Sequence, residues 1–202
     1  MRANEPDAEL PVRHSDIEAT HFESLRVLHR TLDAVFALHQ ELLVVQETEL
    51  AEEVFALYLT LLRLHMKHEE EWLLPIYCRQ GALPRFPEVL YLGQHRKMLA
   101  LLERAELRLV DRCRSRKSIP QTVLAVLDLE TIYKHLSEHH DQAEAQGLFK
   151  VLDQEVPASD RYWIVQRCFD EFLLALNKQL PLLRRARQRV SVRARVATRS
   201  LS

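Results

Sequence analysis

Glycine is almost missing from this chain: three residues in 202, beside eight prolines. So few positions free to take left-handed backbone leave little room for tight-turn architectures and favour long helices joined by short connections. Cysteine is equally sparse. Cys78, Cys113 and Cys168 stand alone and no Cys-x-x-Cys pair occurs, which argues against a disulfide framework or a thiolate zinc site. Reduced thiols suit a cytoplasmic compartment. No apolar run approaches the ~20 residues needed to span a bilayer. The opening MRANEPDAELPVRHSD is polar and lacks the apolar centre of a secretory signal. A soluble cytoplasmic protein with no transmembrane span is expected.

Hydrophobic residues make up 47% of the chain, enough for a sizeable core in one domain with appendages. Charge is unevenly spread. Residues 184–202 carry seven arginines and no acid, so a net charge of −1 leaves −8 on everything before them. The body is acidic and the end basic.

Apolar residues at three- and four-residue steps mark five helices. The first follows Ser15 or Asp16 as N-cap and runs to about Val45, with Leu25, Leu28, Leu32, Phe36, His39 and Leu43 in phase. The second spans about Glu49 to Arg79. The third follows Pro84 and Pro87 and reaches about Cys113, and the fourth runs from Pro120 to about Leu152. The fifth follows Pro157 and ends near Pro181. Short connections between long helices make antiparallel neighbours. The expected fold is therefore all-α: an up-down-up-down antiparallel four-helix bundle over 16–153, an additional helix over 154–183, a flexible N-terminus over 1–15 and a flexible Arg-rich tail over 184–202.

Chemistry concentrates in the histidines. His65 and Glu69 stand four apart on the second helix, as do His140 and Glu144 on the fourth. At about 3.6 residues per turn each pair shares a face, and both faces are mainly apolar. Buried imidazole and carboxylate are costly unless paired or bound to a metal. In an up-down bundle, residues at one height are equidistant from the loop between them. His29 and His65 average to position 47, His65 and His95 to 80, and His95 and His140 to 117.5. Each midpoint falls in a connection, so the four histidines should form one layer, with Glu69 and Glu144 one turn away. Four imidazoles, two carboxylates and no thiolate suit two iron ions, with manganese or zinc as alternatives. Two glutamates can each bridge both metals, leaving coordination positions open.

Other readings stay open. His139 satisfies the midpoint test as well as His140, but only His140 has a glutamate four residues on. His68 could add a fifth ligand or an outer partner. Glu70, Glu71, Asp33 and Glu138 could accept from the outer ring nitrogens. Tyr91 could reach the site, though packing explains it. His14, His21, His39 and His135 read as ordinary helix or surface residues.

The two motifs, His65-Met-Lys-His-Glu69-Glu-Glu-Trp-Leu-Leu-Pro75 and His140-Asp-Gln-Ala-Glu144-Ala-Gln-Gly-Leu-Phe-Lys150, together with His29 and His95, resemble the hemerythrin-like (HHE cation-binding) family over about 20–152. That family carries His-x-x-x-Glu on two helices and a single histidine on each of the other two. Lys150 replaces the second motif's proline. Oxygen-carrying hemerythrins have a further histidine where this chain has Leu99, so the resemblance is to the broader group, which includes iron-centre repair proteins and an iron-sensing ubiquitin-ligase subunit. Repair proteins of the family often have an N-terminal cysteine pair, absent here. The resemblance implies a non-haem di-iron protein that binds or senses oxygen, nitric oxide or peroxide, or handles iron in a stress response.

No catalytic residue or organic-cofactor motif stands out. A binding or sensing protein is expected rather than a dedicated catalyst, with oxidase-type or nitric-oxide-related activity left open. The alternative is a metal-stabilised interaction module. Expected partners are a small diatomic molecule or peroxide, a second copy through the apolar stripe of the fifth helix, and an acidic protein or nucleic acid at the arginines.

Overall fold

The computed structural model describes residues 20–79, 85–111 and 119–199. The expected caps Ser15 and Asp16, the N-terminal segment, His14 and Cys113 lie outside them. Every regular element among the described residues is helical. A 3-10 turn, Phe22–Leu25, leads into α1 (Arg26–Val44). Then come α2 (Thr48–His68), a π turn (Glu69–Leu73) and α3 (Leu74–Arg79) in one continuous run. α4 is Glu88–Val110. A second continuous run holds α5 (Ile119–Ala143), a π turn (Glu144–Leu148) and α6 (Phe149–Glu155). α7 (Ala158–Asn177) and α8 (Leu180–Arg199) follow.

The ends of these helices have local causes. After α1, Gln46 takes φ 61°. Its N–H donates to Leu43 O at 3.1 Å, and that of Glu47 donates to Leu42 O at 2.9 Å, the two bonds of a Schellman cap. Pro87 and Pro157 stand in extended backbone just before α4 and α7, where the proline carbonyls accept from Leu90, Asp160 and Arg161. Pro181 occupies the first turn of α8, where no N–H is needed. The Asp153 carboxylate accepts from Phe22 N–H at 2.7 Å, tying the entry of α1 to the end of α6.

α1 packs along α2 and α4 along α5, while α2 meets α4 and α1 meets α5. α7 lies on α2, and α8 on both α1 and α2. The core runs between them through Leu28, Leu43, Leu61, Leu102, Phe149 and Phe169, each at most 1% exposed. Truncating any of these leucines to Ala should cost ~2–5 kcal/mol.

One expectation needs correcting. The Arg-rich stretch expected as a flexible tail over 184–202 is helical through Arg199. Leu183 and Ala186 face the body and are buried. Arg185 pairs with Glu53, while Arg189 and Arg193 reach Glu47 at 3.5 and 2.7 Å. The fifth helix expected after Pro157 is α7, which ends at Asn177, and α8 begins at Leu180 after Lys178 and Gln179.

Candidate metal centre

All six expected residues come together. His29, His65, His95, His140, Glu69 and Glu144 come from α1, α2, α4, α5 and the two π turns, and none is more than 7% exposed. Their donor atoms fall into two halves. In one, His29 Nε2 lies 2.8 Å from His65 Nε2 and 3.2 Å from Glu144 Oε2, and His65 Nε2 lies 2.6 Å from Glu69 Oε1. In the other, His95 Nε2 lies 3.2 Å from His140 Nε2 and 3.0 Å from Glu69 Oε2, with Glu144 Oε1 at 3.5 Å from His140 Nε2. Each carboxylate thus offers one oxygen to each half.

These short contacts are poor hydrogen bonds. Both oxygens of Glu69 and of Glu144 are buried with no properly directed donor. They lie close to the imidazole nitrogens without receiving a directed hydrogen bond. Orphaned buried carboxylate oxygens are rare in folded proteins. A cation placed among them would satisfy every one. The buried groups His29–His65–Glu69–Glu144 and Glu69–His95–His140 could each hold a metal ion, and nitrogen–oxygen donors without thiolate suit iron, manganese or zinc.

Outer contacts set the ring orientations. His95 Nδ1–H donates to Glu70 Oε1 at 2.7 Å, and His140 Nδ1–H to Gln94 Oε1 at 3.0 Å. Both rings therefore turn the Nε2 lone pair inward. Asp141 Oδ1 stands 3.5 Å from His29 Nδ1, which has no other partner.

The two buried carboxyls are pushed in opposite directions. Burial first, and then the nearby Glu69 carboxylate, hold the Glu144 carboxyl well above its usual range. Burial would do the same to Glu69, but the close imidazoles of His65, His140 and His95 outweigh it and keep that carboxyl low. Two carboxylates this close cannot both ionise in an apolar site, so one keeps a proton until a metal replaces it. Burial lowers His29, with His65 adding to the effect, and burial also lowers His140 despite Glu69. Burial opposes charge on His95 too, yet Glu69 and Glu70 raise it overall.

Both glutamates open a π turn: Leu74 N–H donates to Glu69 O, and Phe149 N–H to Glu144 O. Such turns insert one residue and are common at functional sites. The second is braced by Tyr91, whose hydroxyl donates to Ala143 O at 3.0 Å. Gly147 makes this possible. A Cβ there would sit 2.7 Å from Phe86 Cδ2 and 2.8 Å from Tyr91 Oη.

A narrow cleft opens beside the histidines, lined among others by His29, His65, His140, Tyr58, Tyr133 and Asp141. Its inner end has room for about one water-sized molecule.

The remaining candidates separate clearly. His139 is exposed while His140 is buried. His68 turns away to Glu171 Oε2 at 3.0 Å and stacks on Trp72. Glu138 faces His135 on the surface. Glu70 does meet an outer ring nitrogen, whereas Gln94 and Asp141 were not expected; each directly precedes or follows a ligand-type histidine, the one local signal they carry. His39, in phase with the apolar stripe of α1, is buried away from the site and held by Ala51 O at 2.9 Å and Glu130 Oε1 at 2.8 Å.

No protein-family model, curated protein or solved structure matches this chain.

Proposed function

We propose that this chain is a hemerythrin-like, non-haem di-iron protein, built on an up-down-up-down four-helix bundle, that binds or senses oxygen, nitric oxide or peroxide or handles iron under stress. The observation that carries the reading is the pair of shared carboxylates. Each gives one oxygen to each of two histidine pairs, and all four oxygens lack a directed donor. His29 and His65 would hold one metal, His95 and His140 the other, and Glu69 and Glu144 would bridge them. Bound iron would supply an open coordination position and redox chemistry for a small molecule. Glu70 and Gln94 fix two of the imidazoles, and the cleft beside them has room for a molecule about the size of water. Leu99, partly buried against the core, takes the place of a fifth histidine, which favours sensing or chemistry over oxygen transport.

A second reading has its own support. His68, between the two halves of the His65–Glu69 motif, is tied to Glu171 on α7, so a change at the metals can reach the surface formed by α7. In that reading the protein is a metal-stabilised interaction module, with α7 and α8 meeting a second copy, an acidic protein or nucleic acid.

Anaerobic iron loading followed by exposure to oxygen, nitric oxide or peroxide tests both. A spectrum that changes with the gas at constant assembly supports small-molecule chemistry. A gas-indifferent spectrum with iron-dependent association supports the module.

A further inference from the structure

Two tyrosines remain unexplained by metal binding. Tyr58 on α2 and Tyr133 on α5 are 3% and 2% exposed, and their hydroxyls form a short hydrogen bond to each other. Both line the cleft that His29, His65 and His140 also line. Each stands seven residues before a histidine of the site, Tyr58 before His65 and Tyr133 before His140. The pair therefore lies two helical turns, roughly 10 Å, along the helices from the imidazole layer. That is too far to ligate, but the intervening space is packed protein and cleft. Phe36 packs on both rings, at 4.7 Å from Tyr58 and 5.2 Å from Tyr133, and screens them from solvent on the far side.

Phenylalanine would fill the same space without a hydroxyl to desolvate. What the hydroxyls add is an oxidisable O–H. Resting on the di-iron reading above, we infer that Tyr58 and Tyr133 form a buried electron donor that supplies one electron and one proton when peroxide is reduced at the metal centre.

The chemistry balances as follows. One hydrogen peroxide becomes two waters by taking two electrons and two protons. One phenol O–H breaks and provides one of each, becoming a neutral phenoxyl radical. A ferrous ion held by the histidines and glutamates of the site would supply the second electron, ending ferric, and solvent would supply the second proton. The phenol must release its proton along with its electron, because an oxidised phenol that keeps its proton is a strong acid and burial disfavours the charge it would carry. Burial already holds both hydroxyls protonated: Tyr58 is raised well above the usual phenol range, and Tyr133 is pushed up to about 12. The exit is polar. Tyr133 also hydrogen-bonds with Ser137, and Ser137 and Asp33 both line the cleft.

The test uses the full chain loaded anaerobically with ferrous iron, mixed with two equivalents of hydrogen peroxide and frozen for electron paramagnetic resonance. A phenoxyl signal is expected. Its proton splitting should collapse when the tyrosines are ring-deuterated, which needs no mutation and no assumption about folding. Two equivalents of peroxide are used, because a single equivalent could take both its electrons from the two ferrous ions; in Tyr58→Phe/Tyr133→Phe the signal should then fall to the level of the metal-free control while iron content is unchanged. A radical that survives the double substitution, or one indifferent to deuterated tyrosine, assigns the electron to another residue and overturns the inference. Bound iron that oxidises without any radical overturns it too and leaves the metal reading standing. A chain that takes up no iron overturns both.

Discussion

His29 and His65 face each other through their Nε2 atoms at 2.8 Å, inside a region where neither ring is more than 7% exposed. Only one of the two nitrogens can carry a proton toward the other. The other nitrogen accepts it, and the Glu69 and Glu144 oxygens around the pair lack a directed donor. The buried polar centre is thus an arrangement that the protein alone leaves unsatisfied, and it predicts opposite effects of substitution on the metal-free and metal-loaded chain.

Glu144→Gln removes a carboxyl that burial and Glu69 hold well above its usual range and keeps the shape. The metal-free variant should melt at a higher temperature than the metal-free parent, since isosteric removal of a poorly compensated buried acid is often stabilising. Its capacity for metal should drop. Thermal melts with and without iron check both halves, and a lower melting temperature for the metal-free variant would contradict this account.

Metal uptake should release protons. A metal that takes Glu144 displaces the proton this acid retains, so apparent affinity rises with pH. Titration calorimetry in buffers of different ionisation enthalpy measures the number released. For the metal-free chain, Asp141, pushed up to about 7 by burial and then by Asp33, stabilises the fold at low pH and loses that contribution as pH rises toward its folded value. His29 and His140, lowered by burial, act the other way. Asp141→Asn isolates the acid: between about pH 5 and about pH 7 the variant should lose less stability than the parent.

Gly147→Ala should loosen the site from a distance. The new methyl would meet Phe86 and the Tyr91 hydroxyl, so the bond from Tyr91 to Ala143 O must shift. Overpacking of this kind costs ~1–3 kcal/mol, and metal affinity should weaken along with stability. Denaturant unfolding and metal titration read the two effects. Unchanged affinity would mean the second π turn does not depend on Tyr91.

Much of this was legible in the sequence. Spacing alone placed His29, His65, His95 and His140 at one height, because a helical rise is regular and the connections are short. The partners of the outer ring nitrogens were harder to read. Gln94 and Asp141 lie beside ligand-type histidines and can be reached only once ring orientation is known. The π turns were invisible too. Proline at position 75 might suggest one, yet the second motif forms the same turn with Lys150 in that place, so the turn accompanies the buried glutamate, not the proline. The arginines misled for a compositional reason. A run of like charge reads as solvated, but arginine is a good helix former, and the acids that receive it, Glu47 and Glu53, lie more than a hundred residues earlier.

The link from α8 to Glu47 can be tested on its own. Glu47→Ala removes the acceptor of both Arg189 and Arg193. Amide exchange across residues 187–196 should quicken in the variant. In the parent, added salt should have the same effect, because these pairs are largely exposed. Protection unaffected by either change would show that Leu183 and Ala186 hold the helix without help.

Gln46→Gly should stabilise the chain by about 0.5–1 kcal/mol, because the left-handed position at the end of α1 strains a residue with a Cβ. Chemical denaturation is sufficient to detect it, and destabilisation would contradict the cap geometry.

The central claim rests on metal content. Protein purified with iron available should contain about two irons per chain, by elemental analysis, with near-ultraviolet charge-transfer absorption that disappears in Glu69→Ala/Glu144→Ala and persists in His39→Ala. A well-folded chain that binds no stoichiometric metal under those conditions would contradict it.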